Sequence, residues 1–395
     1  MREAVAMETI TSNALKTLLV AVAVAVLLPS MRALAQENKP KTPASIETIQ
    51  KHNIQLLTEQ LNRGWRAFCD APVDEGVMSL FQGINPSDAA LHVMTVTNRS
   101  VELPIKSISQ LRDFDISPER KTLIYVNAFH TADSYFSVQE HLSLLQNSRR
   151  DLNVIVVDFA RDVAQLYYAV RHHLSVHGYA IYNVLKALRE AGIAPQDITL
   201  AGHSVGANIA ALGAQLFARG SKQLVGQLVA IDPATMCRTT DILVKQGVAE
   251  RVVVLHGEGD VFGVRVPVGH IDIYPNGIGY FPRRKLQPGC DSKICSHMYP
   301  FVLFMEALIE GVMIPATKCE SWAKFRQGDC QFQNTLNIGL IYPSTARGLY
   351  FCLTQPNPPF TYMEHGLRYK TSPARTRGPE KSAKSGKKMT KGTKG

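Results

Sequence analysis

No apolar run in this 395-residue chain approaches the roughly 20 residues needed to cross a bilayer. The longest, residues 18–28, has eleven. Spacers are missing too: no Gly/Ser-rich or Pro-rich stretch divides the interior, and no segment repeats, which argues against tethered modules or a solenoid. Charge is sparse, 19% of residues against 45% apolar, so a disordered tail, a collagen-like repeat and a small disulfide scaffold are excluded as descriptions of the whole. A basic nucleic-acid-binding face is also unsupported. Of the formal net charge of +10, residues 371–395 supply +7, from eight Lys/Arg and one Glu, leaving only +3 for residues 1–370.

What is present begins with an address. Lys16 precedes the apolar run, and Ala33-Leu34-Ala35 supplies the small-x-small pattern that signal peptidase cuts. Residues 1–35 therefore read as a signal peptide, even with Glu3 and Glu8 ahead of the run, and the mature chain is expected to start at Gln36 as a secreted, extracellular protein. Secretion places the seven cysteines in an oxidising compartment, where disulfides are favoured over metal sites. Cys290 and Cys295 enclose four residues and Cys319 and Cys330 enclose ten, and either pair could be a local staple. A metal reading of Cys290, Cys295 and His297 lacks a fourth ligand at zinc-finger spacing, so neither metal nor cofactor is expected. Cys69, Cys237 and Cys352 remain, which leaves at least one thiol free or joined to another chain. Asn98-Arg99-Ser100 is a glycosylation sequon.

Residues 36–370 are expected to form one domain, followed by a basic disordered tail. β-Branched runs at 91–97, 122–126, 153–158, 198–201, 224–231 and 251–256 alternate with helical patterns at 163–191 and 207–219. That alternation predicts an α/β fold with a mostly parallel sheet covered by helices on both faces. The stretch 257–289, rich in Gly, Pro and Asp, reads as loop rather than helix.

Gly202-His203-Ser204-Val205-Gly206 sits between a strand and a helical run. A nucleophile elbow needs this context, because small residues two positions either side of the serine permit the sharp turn that exposes its hydroxyl. Serine is a weak nucleophile at neutral pH and requires a histidine base, itself oriented by a carboxylate. Asp232 and Asp260 both follow strands, and His256, His270 and His297 all lie downstream. Position does not separate the two acids. His256 belongs to an apolar strand, where a satisfied core histidine is the plain reading, whereas His297 follows the short Cys290 to Cys295 turn and precedes a helical run.

Six ordered segments, GHSVGAN (202–208), AIDPA (230–234), GHIDIYPNG (269–277), QPGC (287–290), CSH (295–297) and CESWAKFRQGDC (319–330), resemble the pancreatic-lipase superfamily in its insect lipase and phospholipase A1 branch, which also includes yolk proteins. The resemblance runs from about residue 91 to 362 and implies an α/β-hydrolase fold. It implies Asp232 as the acid, His297 as the base, and disulfides Cys290–Cys295 and Cys319–Cys330. Relatives carry His-Gly-Phe where this chain has Asn127-Ala128-Phe129. That loop is expected to offer the backbone N–H of Phe129 to an oxyanion, alongside that of Val205. Residues 298–300 read Met-Tyr-Pro where relatives often have an Arg.

Relatives with a long lid place it between the two cysteines before the catalytic His. Here only residues 291–294 intervene, too few for a lid helix, and digestive relatives continue into a lipid-binding β-sandwich after the stretch corresponding to 348–360. The resemblance thus implies a carboxylic ester hydrolase acting on lipid esters, triacylglycerol or phospholipid, at a membrane or lipoprotein surface. A yolk-protein-like lipid-binding protein is the alternative. The basic tail offers a salt-sensitive attraction to heparan sulfate or anionic membrane, against the plainer reading of a solvated end.

Overall fold

The computed structural model describes residues 90–94, 100–113, 116–127, 151–159, 170–235, 243–259, 261–278 and 286–369, all within the unit Ala71–Gly395. The signal peptide, Cys69, Asn98, Phe129, Cys237, Asp260 and the basic tail lie outside these residues.

Strands β1 (Ala90–Met94), β2 (Ser100–Pro104), β3 (Lys121–Asn127) and β4 (Leu152–Asp158) come first. Helix α1 (Val170–Glu190), β5 (Ile198–His203), α2 (Val205–Ser221), β6 (Gln227–Ile231), β7 (Arg251–Leu255) and β8 (Ile271–Pro275) follow. Helix α3 (Lys293–Glu306), β9 (Pro315–Lys318), α4 (Trp322–Gln327), β10 (Gln331–Asn337) and β11 (Gly348–Cys352) come next, and a 3₁₀ turn at Met363–Leu367 is the last element described. The strands form one 11-stranded sheet in the order β10-β9-β11-β8-β7-β6-β5-β3-β4-β1-β2. The run from β4 to β11 is parallel, and the pairings at both ends are antiparallel.

Strands buried on both faces read as near-continuous apolar runs, and these do. In β3, Ile124 and Val126 face one core with α1 residues Ile181, Val184 and Leu188 and α2 residues Ile209 and Phe217. Leu123 and Tyr125 face the other, with Phe301, Leu303 and Phe304 of α3. The period-2 alternation of strand side chains thus feeds two helix-covered layers from one sheet. Within 257–289, the segment expected as loop, Ile271–Pro275 instead forms β8. Only five residues long and flanked by Pro267, Gly269, Asn276 and Gly277, it is held by parallel neighbours on each side, so tertiary pairing overrides the breakers around it.

From β3 the chain pairs with β4 on one side and later places β5 on the other. Such a reversal opens a crevice beyond the carboxyl ends of the two strands, where ligands of open α/β sheets bind. The architecture is the α/β-hydrolase fold, and the GxSxG serine stands at that crevice, directly after β5.

Candidate active site

Ser204 joins β5 to α2 with φ 55° and ψ −122°, a conformation a side chain rarely takes. The turn is fixed from below. The Ser204 N–H donates to the Ile231 carbonyl at the end of β6 (2.9 Å), and the Ser204 carbonyl accepts from Ala207 and Ala234, each at 3.2 Å. Gly202 must lack a side chain, since a Cβ there would lie 2.6 Å from the backbone of Gly206. That contact is the packing reason for the first glycine of the motif. The Asn208 amide also ties the first turns of α2 to the carbonyl of Ala234 (2.9 Å).

Asp232 follows β6, fully buried and also at positive φ (37°). Its Oδ1 accepts the N–H of Gly257 (2.8 Å) and its Oδ2 the N–H of Glu258 (3.0 Å), just beyond β7. Burying a carboxylate is costly unless its lone pairs are met by donors, and here two backbone N–H groups meet them. Gly263 closes the third side: a Cβ there would sit 2.3 Å from Oδ1.

His297 lies in the second turn of α3, not ahead of the helix as its sequence context suggests. Its Nδ1 is 2.7 Å from Asp232 Oδ2 and its Nε2 is 2.8 Å from Ser204 Oγ. With Asp232 accepting the hydrogen bond from Nδ1–H, Nε2 is left as the acceptor for the serine hydroxyl. Disulfide Cys290–Cys295 ends two residues before the histidine, and Ser292 caps the helix by accepting the N–H of Cys295. The bridge encloses the start of α3 itself, since Lys293 and Ile294 already belong to it. The second expected disulfide, Cys319–Cys330, is also formed, while Cys352 is a buried free thiol.

His203 was not singled out by sequence, although it occupies the elbow. Its Nε2–H donates to the His297 carbonyl (2.8 Å), and its ring lies 4.6 Å from that of His297. Burial, and then the proximity of His297, push it down to about 3, so the ring is neutral. Gln287, in the QPGC stretch, was missed as well: its N–H donates to Ser296 Oγ (2.9 Å) and its side-chain amide to the Gly257 carbonyl (3.0 Å), linking the two segments that flank Asp232 and His297. At residues 298–300, Tyr299 bonds to Thr354 Oγ1 and the Gln355 carbonyl, each at 2.8 Å, while Pro300 packs over Gly257. Side chains other than an Arg therefore support this side of His297.

The other candidates lie apart from this group. His256 is a core histidine with both nitrogens engaged, Nδ1 to the Val264 carbonyl (2.8 Å) and Nε2 to Asp272 (2.9 Å), and it stacks on Tyr274. His270 accepts the N–H of Val252 (2.9 Å). Asn127, at the end of β3, turns its amide to Asp158 Oδ1 (3.0 Å). Phe129 lies outside the described residues, whereas Val205 is the first residue of α2, where a helix N–H has no partner within its own helix.

The Lipase family model matches residues 88–341. Phospholipase A1 member A of Mus musculus is 27% identical over 234 residues, 56% of this chain and 49% of its own. Lipase member H of Rattus norvegicus is 27% identical over 226 residues, 53% of this chain and 47% of its own. Pancreatic lipase-related protein 2 of Bos taurus is 25% identical over 283 residues, 62% and 57%. The chain spans about half the length of the curated relatives it matches. The family match runs through the elbow, the strand ends and the helix that bring Ser204, Asp232 and His297 together, and the chain belongs to the Lipase family.

Proposed function

We propose that the protein is a secreted serine carboxylester hydrolase acting on lipid esters, with Ser204, His297 and Asp232 as its catalytic triad. The observation that carries this reading is the unbroken hydrogen-bond chain from Ser204 Oγ through the His297 ring to Asp232. His297 Nε2 takes the hydroxyl proton as Oγ attacks the acyl carbonyl, and Asp232 holds the resulting imidazolium by its Nδ1–H. The N–H groups of Val205 and Phe129 receive the oxyanion of the tetrahedral intermediate. Collapse expels the alcohol, which leaves with the proton from His297. Water, deprotonated by the same nitrogen, then releases the fatty acid from the acyl-serine and restores the hydroxyl.

The relatives' names, phospholipase A1 and pancreatic lipase-related protein, support phospholipid and triacylglycerol as the substrate classes. The short Cys290–Cys295 bridge supports a site open without a lid helix, and so one less dependent on an oil–water interface. Hydrolysis of a short chromogenic ester, a phospholipid and a triacylglycerol, beside Ser204→Ala, tests the reading. Loss of the nucleophile is expected to lower turnover by roughly 10⁴-fold or more, and the ranking of the three substrates names the class. Equal, near-blank rates for both proteins would overturn it in favour of lipid binding without turnover.

A further inference from the structure

One buried acid beside the triad has no part in the chemistry above. The side chain of Glu258 is 4% exposed, and a carboxylate so placed must be held by donors that give something back in organisation. Its Oε2 accepts two backbone N–H groups, from Val261 (2.6 Å) and Phe262 (2.9 Å). Its Oε1 lies 3.9 Å from Lys293 Nζ, on the first turn of α3. Lys293 and His297 are four residues apart on that helix and so share a face.

The two accepted N–H groups lead to the Asp232–His297 pair. The two accepted N–H groups fold the chain after β7 into a tight turn, and the residues leaving it run beside those that follow Asp232. Thr235 N–H donates to the Phe262 carbonyl (2.7 Å), Val264 N–H to the Pro233 carbonyl (2.9 Å), and Gly263 bridges to Ala234. This lays Gly263 against Asp232 and brings the Phe262 ring within 5.3 Å of the His297 ring. At the turn's other end, the backbone N–H of Glu258 itself is one of the two donors to Asp232.

We propose that Glu258 is a positioning residue for the triad. Its carboxylate sets the turn that aims the Gly257 and Glu258 N–H groups at Asp232 and presses Phe262 against His297, so that the imidazole keeps its line to Ser204. The proposal rests on the hydrolase reading. It concerns hydrogen-bond acceptance rather than charge, so glutamine, whose amide oxygen can accept the same two N–H groups, should serve nearly as well.

The test compares Glu258→Ala, Glu258→Asp and Glu258→Gln in the full secreted chain, each first shown to be folded by a cooperative thermal melt. With a short chromogenic ester, Ala and Asp are expected to lower kcat by about 10- to 100-fold, the range that follows when reacting groups are misplaced by up to an ångström. KM should stay within about twofold, since no substrate contact is removed. Gln should recover kcat to within about threefold. Should Ala fail to fold, Asp against Gln carries the comparison, because the shorter acid falls short of the turn. The far-downfield proton resonance of His297 Nδ1–H, identified by its loss in Asp232→Ala, reports the same geometry without turnover; it should broaden or shift in Ala and Asp and return in Gln. Folded Ala or Asp variants with wild-type kcat and an unmoved resonance overturn the proposal, as does a Gln variant as slow as Ala. Absence of Ser204-dependent turnover in the wild type would refute the hydrolase reading instead, and the resonance would still decide the role of Glu258.

Discussion

Folding takes the His203 ring out of water and sets it against a second imidazole, and both effects disfavour its charged form. In the unfolded chain the ring binds a proton near 6.5, whereas in the folded protein it is pushed down to about 3. Between those values the unfolded state binds more protons, so the contribution to stability is complete above 6.5 and is lost as pH falls toward 3. The slope is about 1.4 kcal/mol per pH unit within that window. Thermal melts from pH 7 to pH 4 should therefore fall less steeply for His203→Gln, which keeps a donor for the His297 carbonyl but does not titrate. Parallel slopes for the two proteins would refute this. At the same scale, the sequence exposes the proposed nucleophile plainly, because the elbow has a local signature between strand and helix. It does not choose between Asp232 and Asp260 by position. What holds Asp232 comes from Gly257, Glu258 and Gly263, some 25 to 31 residues further on, at ordinary glycines and an acid whose importance is set by proximity alone.

Helix α3 carries His297, the proposed base, and its start is held by the Cys290–Cys295 bridge and the Ser292 cap. Closing so short a loop removes unfolded-state entropy worth about 2 kcal/mol in the chain-entropy account. Replacing both cysteines with serine should lower stability by about that amount, readable as a shift in denaturation midpoint at unchanged slope. It should also slow ester turnover, because the freed first turn holds His297 less firmly. Unchanged kcat would show that Glu258, Tyr299 and Pro300 hold the helix without the bridge. Elements of this kind differ in how far the sequence displays them. Strands β3 to β7 are visible as apolar runs because both their faces are covered. β8 is hidden among turn residues, and β10, with its largely exposed pattern, has no clean alternation to find. β10 exists because β9 pairs with it at the sheet edge, and that is information no local window holds.

At the scale of the whole molecule, the parallel pairing follows from alternation of strand and helix, whereas the reversal at β3 and β5, which places the serine at a crevice, is set by the order in which the strands assemble. Charge is the other whole-chain property, and it is unevenly distributed, with residues 371–395 holding +7 of the +10. Deletion of these residues should abolish any salt-sensitive retention on heparin while leaving ester turnover within about twofold. Retention that survives the deletion would assign it to the folded surface instead. The sheet also encloses a chemical reporter. Cys352 lies on β11, paired to β8 on one side and joined by β9 on the other, fully buried, its thiol pushed up to about 12 by desolvation. A sulfur in that state does not react while the strands stay together, since alkylation requires both access and the thiolate. Modification at this position consequently counts openings of the sheet rather than surface encounters. The protein thereby carries its own clock for the rate at which its core comes apart.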